Sequence, residues 1–270
     1  MTMMSNPFKR ALAAGQAQIG LWSTLPSPYV TEMLAGAGFD WLLLDAEHAP
    51  TDVMNMLGQL QAVAAARSTP GVAPSAVVRP PWNDPVLIKR YLDIGAQNLL
   101  IPFVQTAEEA RVAVAACRFA PLGIRGMGGS VRAAGFGRDS GYVARAHEDI
   151  GVFVQVETAE AVERIEAIAA VDGVDGIFIG PADLSASMGH AGAVNHPEVR
   201  RVVDDAVKRI ARCGKAPGIL MVDETRAREL LELGALFVAV AIDLVLLRTA
   251  VDQKANAFIG VGREPVDASY

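Results

Sequence analysis

Short apolar runs recur eight times along the chain, each followed by a longer stretch of helical character, and this alternation leaves few folds open. The runs are Ile19–Trp22, Trp41–Asp45, Ala76–Arg79, Asn98–Ile101, Val152–Glu157, Gly176–Gly180, Gly218–Val222 and Phe237–Ala241. Runs of this kind read as strands buried on both faces, and strands alternating with helices build parallel βα units. Eight units in 270 residues match a closed barrel, which takes about 250 residues. The expected fold is therefore α/β, a (β/α)₈ TIM barrel. Residues 1–257 form its single domain and 258–270 an aperiodic C-terminal tail.

Local signals agree with the count. Ser27-Pro28 and Asp84-Pro85 each place a capping side chain before a Pro at the first helical position, and Thr106-Ala-Glu-Glu109 spells a capping box. Gly38, Gly95, Gly214 and Gly234 follow helical runs, where a left-handed residue closes a helix. The stretch from Gly123 to Gly137 breaks the rhythm with closely spaced glycines. A loop this long in a compact domain is usually functional, and we expect it on the site-bearing face, covering substrate or contacting another subunit.

Composition removes several classes of function. The hydrophobic share is 51% and the charged share 20%, enough apolar material for a large core. The net charge is −6, with Lys and Arg scattered, so a nucleic-acid partner is not expected. Lys9 and Arg10 precede only Ala11-Leu12-Ala13-Ala14 before Gly15 interrupts, which is no secretory core. No apolar run reaches the roughly eighteen residues of a membrane span. Cys117 and Cys213 stand apart, as reduced cytoplasmic thiols do.

Barrel enzymes carry their chemistry at the carboxyl ends of the strands. In this chain those ends hold Trp22; Asp45, Glu47 and His48; Arg79; Gln155 and Glu157; and Asp183 within Gly180-Pro-Ala-Asp-Leu-Ser185. Asp45 lies three residues before His48, close enough to hold the imidazole in one tautomer and make it a general base. Glu47 serves equally as a cap for the next helix or as a partner to Arg79. Glu157 and Asp183 end consecutive strands, so their carboxylates converge and suit a hard octahedral ion such as Mg²⁺ or Mn²⁺. A salt bridge for Glu157 and a helix cap for Asp183 are the structural alternatives. Arg79, stiffened by Pro80-Pro81, can stabilise a developing enolate charge or make an inter-loop ion pair. The amides at Ala182 and Asp183 can seat a small carboxylate or a phosphate. His147, His190 and His196 read as structural hydrogen-bonders.

The lysines, Lys9, Lys89, Lys208, Lys215 and Lys254, all lie away from the strand ends. Schiff-base chemistry therefore has no candidate.

Taken together, Gly20-Leu-Trp22, Leu44-Asp-Ala-Glu-His48, Val78-Arg79, Gly123-Ile-Arg-Gly126, Gln155-Val-Glu157, Gly180-Pro-Ala-Asp-Leu-Ser185 and Phe237-Val-Ala-Val240 resemble the metal-dependent pyruvate aldolases. That family is typified by 4-hydroxy-2-oxo-heptane-1,7-dioate aldolase, with 2-dehydro-3-deoxy-glucarate and -rhamnonate aldolases as siblings. The resemblance implies a barrel of the phosphoenolpyruvate/pyruvate-binding type and a divalent ion (Mg²⁺, Mn²⁺ or Co²⁺) on Glu157 and Asp183, without an organic cofactor. It implies enolate stabilisation by Arg79, proton transfer by His48 with Asp45, a pocket lined by Trp22 and Gln155, and a carboxylate seat at Ala182-Asp183. The substrates it implies are small 2-oxo acids and aldehydes, of the kind met in aromatic catabolism. It further implies a cytoplasmic homohexamer in which the last helix, Leu244–Val251, packs on a neighbour. Two features depart from the family pattern: Ala241 replaces the usual Gly and should narrow the barrel mouth, and Val131–Arg138 is unusually rich in Gly. A lyase acting on CoA thioesters, of the citrate lyase beta type, would need a basic nucleotide-binding surface. A catalytically silent barrel would have lost some strand-end residues.

Overall fold

A computed structural model describes residues 6–66 and 74–259. Eight parallel strands close into a barrel in sequential order, with β8 paired to β1. They are β1 (Gln18–Ser23), β2 (Trp41–Asp45), β3 (Ser75–Arg79), β4 (Asn98–Ile101), β5 (Gly151–Val156), β6 (Gly176–Ile179), β7 (Ala216–Leu220) and β8 (Phe237–Ile242). The helices are α1 (Pro7–Ala13), α2 (Pro28–Ala35), α3 (Val53–Ala66), α4 (Pro85–Asp93), α5 (Ala107–Cys117), α6 (Tyr142–Asp149), α7 (Ala159–Glu163), α8 (Ile165–Ala169), α9 (Pro181–Ser187), α10 (Pro197–Arg212), α11 (Glu224–Glu232) and α12 (Asp243–Ile259).

The expected caps are present: Ser27, Asp84 and Thr106 each accept from a first-turn amide, and Thr106 with Glu109 completes its box. β1, β3 and β5 begin one residue earlier than expected, and β7 two. β7 starts at Ala216 because that residue pairs with Gly176, and Pro217, which reads as a breaker, sits in the ladder opposite Ile177.

Side chains alternate between two apolar clusters, as period-two strands require. Leu42, Leu44, Val78, Leu99, Ile101 and Val154 pack outward in the cluster shared with the helices. Trp41, Leu43, Val77, Leu100, Phe153, Phe178 and Phe237 fill the barrel interior. The interior is sealed from below by α1, which the strand count overlooks. Its Phe8 ring lies 5.4 Å from Phe153, 5.7 Å from Trp41 and 6.0 Å from Phe237. Asn6 caps α1 with Pro7 just inside, the same device as at α2 and α4.

The glycine-rich loop is not at the site-bearing face. It joins α5 to α6, which leads into β5, and helices of a parallel barrel run back to the amino ends of the strands. Arg125, buried, donates to Asp93 at 2.8 Å and to the Tyr142 hydroxyl at 3.0 Å, and its guanidinium covers the Phe119 ring at 4.4 Å. Arg132 donates to the Ile94 carbonyl at 2.7 Å. Both anchors tie the loop to the carboxyl end of α4, on the face opposite the strand carboxyl ends. Residues 132–137 turn sharply there, with Gly135 and Phe136 in left-handed backbone (φ 58° and 59°).

The last helix continues through Phe258 and Ile259, the first two residues of the expected tail; the remainder of that tail lies outside the described residues. Among its side chains only Asp243 is buried, while Leu244, Leu246, Leu247 and Val251 are each at least half exposed. Cys117 and Cys213 are both free, and burial pushes the Cys117 thiol up to about 12. Among the described residues no helix is long and apolar enough to cross a membrane.

Candidate active site

A cavity of about 540 Å³ opens at the carboxyl ends of the strands. Its lining includes Trp22, Asp45, His48, Arg79, Gln155, Glu157, Ala182 and Asp183, the residues singled out from sequence apart from Glu47. Barrel closure brings them together from five strand ends.

The β2–β3 register sets Asp45 beside Arg79. Arg79 donates from Nε to Oδ1 of Asp45 at 2.9 Å and from Nη2 to Oδ2 at 2.6 Å, a two-point fork with both side chains almost fully buried. The Glu47 amide donates to Asp45 Oδ1 at 3.0 Å and the Trp22 indole to Oδ2 at 3.3 Å. Burial alone would raise the Asp45 pKa, but these donors and the Arg79 charge together hold it below the usual range. The Arg79 guanidinium also lies 4.6 Å from the centre of the Trp22 ring, which in turn rests 5.6 Å from Phe178.

Asp45 therefore meets Arg79 and Trp22, not His48, and the expected Asp45–His48 hydrogen bond is absent. Its oxygens are occupied by a fully charged donor on the neighbouring strand. The His48 side chain is 67% exposed at the rim, and its nearest carboxylate is Glu47 at 3.8 Å. Of the two readings open for Glu47, the partnership with Arg79 is the observed one, with Oε2 2.8 Å from Nη1. That contact lacks hydrogen-bond alignment, so Oε2 is a buried acceptor without a donor directed at it. Burial raises the Glu47 pKa to about 7, with Asp45 and Asp183 adding to the rise and Arg79 opposing it.

Glu157 stands just beyond β5 and is almost fully buried. Its Oε1 accepts from the Phe103 amide at 2.8 Å and its Oε2 from the Gln155 side chain. Burial pushes its pKa up to about 7 as well, Glu47 and Asp183 contribute in the same direction, and Gln155 opposes them. Phe103 takes a left-handed backbone (φ 53°), unusual outside Gly, which aims its amide at Glu157. The strand end also needs Gly180, where a Cβ would come within 2.7 Å of the Glu157 Cβ. Gly180 then serves as an N-cap for α9 without a side-chain cap, and Pro181 occupies the first turn. The amides of Ala182 and Asp183 thus start a helix that no side chain caps.

Sequence reasoning missed part of the wall. Thr24, Phe178, Leu220, Ile242, Leu244 and Val245 also line the cavity. Ala241, expected to narrow the mouth, lines a neighbouring groove beside Val222 and Leu246. A shift in the β1–β8 register between Gly20 and Trp22 pairs Trp22 with Ile242 and brings that residue to the cavity. Asp243, just beyond, accepts from Ser23 Oγ at 2.8 Å, the Thr24 amide at 2.9 Å and the Leu244 amide at 2.7 Å, tying the β1 exit to the start of α12.

A divalent ion fits this arrangement. The buried Glu157 and half-buried Glu47 repel one another and the exposed Asp183 beside them, and Gln155 Oε1 is a buried acceptor without a donor. Added positive charge relieves the first and hard-ion hydration satisfies the second. Among the described residues no lysine lines the cavity. Lys9 and Lys215 bond the carbonyls of Ile150 and Val174, before β5 and β6, at the amino end of the barrel.

Fold and site together define a parallel barrel enzyme with an acidic centre and a fixed arginine at the strand ends. The sequence matches the family described as HpcH/HpaI aldolase/citrate lyase over residues 18–250. It is 55% identical to the 4-hydroxy-2-oxo-heptane-1,7-dioate aldolase of Klebsiella pneumoniae subsp. pneumoniae, with 94% of each chain covered. It is 54% identical to the enzyme of that name in Escherichia coli, covering 94% of this chain and 95% of the other. The crystal structure of an HpcH/HpaI aldolase/citrate lyase family protein from Burkholderia cenocepacia J2315 superposes with a TM-score of 0.89 at 40% identity, covering 94% of this chain and 99% of that one. The chain belongs to the HpcH/HpaI aldolase/citrate lyase family and is an aldolase, a carbon–carbon lyase.

Proposed function

We propose that the enzyme cleaves and forms 4-hydroxy-2-oxo acids, giving pyruvate or a close 2-oxo acid and an aldehyde, with a divalent ion held by Glu157 and Asp183. The observation that carries this reading is the convergence of Glu157, Asp183 and Arg79 on one cavity that contains no lysine. When bound, the ion acts as a Lewis acid toward the 2-oxo group. Mg²⁺, Mn²⁺ and Co²⁺ are all compatible with two carboxylates.

The chain's own residues supply the rest. The amides of Ala182 and Asp183 seat the substrate carboxylate, and Trp22 and Gln155 bound the 2-oxo acid pocket. In the cleavage direction His48, with Glu47 beside it, takes the proton of the C4 hydroxyl. The C3–C4 bond breaks, the aldehyde leaves, and its electron pair remains as the enolate of pyruvate. Arg79 offers the donors left free by Asp45 to that enolate oxygen. The proton then returns to C3 to give the pyruvate methyl group. Glu47 belongs in this pair because its carboxylate is the one nearest the His48 imidazole, at 3.8 Å.

The citrate lyase beta-like alternative is not favoured: the relatives matched at 54–55% identity over most of the chain are named 4-hydroxy-2-oxo-heptane-1,7-dioate aldolases. The exposed leucines of α12 support a homo-oligomer, a hexamer by family, in which this helix packs on a neighbouring subunit, and a cytoplasmic location accords with the reduced thiols. Sedimentation analysis of the wild type and of Leu247→Glu tests the assembly: the variant should dissociate. A panel of 4-hydroxy-2-oxo acids assayed by coupled pyruvate release identifies the substrate, and release from none of them would refute the reading.

A further inference from the structure

Beyond the cavity, a second group of ligating side chains forms where the chain leaves α9 and enters α10. His190, His196 and Glu198 each present a ligand atom within 4.8 Å of the others. His190 Nε2 lies 2.9 Å from Glu198 Oε2. The two imidazole rings stack, with centroids 3.6 Å apart and planes 18° from parallel. From this geometry we propose that His190, His196 and Glu198 form a binding site for a borderline transition ion of the Zn²⁺ class, separate from the carboxylate pair in the cavity.

Three physical points support it. Each imidazole presents a ring nitrogen to the same small space, the ligand type that borderline ions take. The Glu198 carboxylate beside them supplies anionic charge and is held ionised by its hydrogen bond and charge contact with His190. The backbone also pre-places the ligands: the His190 amide donates to the Ser185 carbonyl at 2.7 Å, the Ala193 amide to the His190 carbonyl at 2.9 Å, and the His196 amide to the Ala193 carbonyl at 2.9 Å. A ligand set fixed by its own loop loses little further freedom on binding.

Two effects oppose the ion. The start of α10 carries the positive end of a helix dipole, which Glu198 in the first turn offsets. The His196 ring caps that helix by accepting from the Glu198 amide at 3.3 Å, and this long bond is strained or lost when the ring turns to a metal. Binding displaces the proton shared by His190 and Glu198 to solvent, so the site weakens in acid. Imidazole ligands choose Zn²⁺, Ni²⁺ or Co²⁺ over Mg²⁺, whereas two carboxylates accept Mg²⁺ readily. The chain would thus carry one hard and one borderline site, the second clamping the end of α9 to the start of α10.

The test is equilibrium titration of the full chain with Zn²⁺ under excess Mg²⁺, in the wild type and in a Glu157→Ala/Asp183→Ala background that removes the cavity pair. Failure of the cavity as a metal site does not affect the reading of this experiment. One Zn²⁺ per chain should bind in both proteins, unmoved by Mg²⁺, and binding should weaken at least tenfold in His190→Ala. His196→Asn should weaken it equally, since Asn keeps the cap but removes the imidazole. In the double-alanine background, bound Co²⁺ should show visible bands that disappear when His190→Ala or His196→Asn is added. No Zn²⁺ retained in the double-alanine background, or Zn²⁺ retained with unchanged affinity in His190→Ala and His196→Asn, would overturn the proposal.

Discussion

Arg79 grips Asp45 at two points across adjacent strands, Nε on Oδ1 at 2.9 Å and Nη2 on Oδ2 at 2.6 Å. The cavity-lining guanidinium is therefore oriented before any substrate arrives. A donor held this way has no reorganisation left to undergo when charge develops on a substrate oxygen.

Arg79→Lys should slow enolate formation about a hundred- to a thousand-fold while leaving pyruvate affinity much less changed. Lysine keeps the charge but cannot hold Asp45 with a planar fork and still reach a substrate oxygen. Deuterium exchange at the methyl group of pyruvate, without aldehyde, isolates this step. Exchange at the parent rate would move Arg79 from enolate stabilisation to recognition of the aldehyde partner.

Removing the other half of the fork should cost stability as well as rate. Asp45→Ala leaves Arg79 buried beside Glu47 alone, and breaking a buried ion pair from one side costs about 3–5 kcal/mol. Denaturant unfolding measures this. A loss within a few tenths of a kcal/mol of zero would show that solvent already satisfies Arg79.

Much of this site is legible in sequence because a polar residue closing an apolar run marks a strand end, as at Asp45, Arg79 and Glu157, and barrel closure does the rest. Pairings across strands are not legible. Asp45 and His48 are close in sequence, but strand register delivers Arg79 to Asp45 first. Ile242 faces the cavity because of a register shift between β1 and β8 that leaves no mark in composition. The glycine-rich loop is a different case: its length suggests function, whereas the direction of α5 puts it on the face opposite the site. Asn6-Pro7 and the four-residue spacing of Phe8 and Leu12 signal α1, a helix outside the βα repeat.

Metal affinity should fall as pH drops through about 7. Glu47 and Glu157 are both raised to about 7 in the metal-free protein, so below that value protons compete with the ion. Each raised carboxyl favours the folded state when protonated. The metal-free protein should accordingly lose stability as pH rises from the ordinary carboxylate range to about 7, and added Mn²⁺ should restore it. Melting curves from pH 5 to 8 with and without Mn²⁺ read both effects. A metal-free protein that gains stability over that interval would contradict the assignment.

Gly180→Ala should weaken metal binding without unfolding the barrel. The added methyl meets Glu157 Cβ within 2.7 Å, so the carboxylate must move from its contacts with Phe103 and Gln155. Manganese titration of this variant should give an affinity at least tenfold lower than that of the parent, and an unchanged affinity would show that Glu157 is not a ligand.

The most direct test of the account is pyruvate release from a 4-hydroxy-2-oxo acid by the metal-stripped enzyme, followed as Mn²⁺ is returned to the wild type and to Glu157→Ala side by side. The account predicts no turnover before addition, recovery in the wild type alone, and no covalent trapping by borohydride in the presence of pyruvate. Full turnover in the stripped enzyme, or equal recovery in Glu157→Ala, would contradict it.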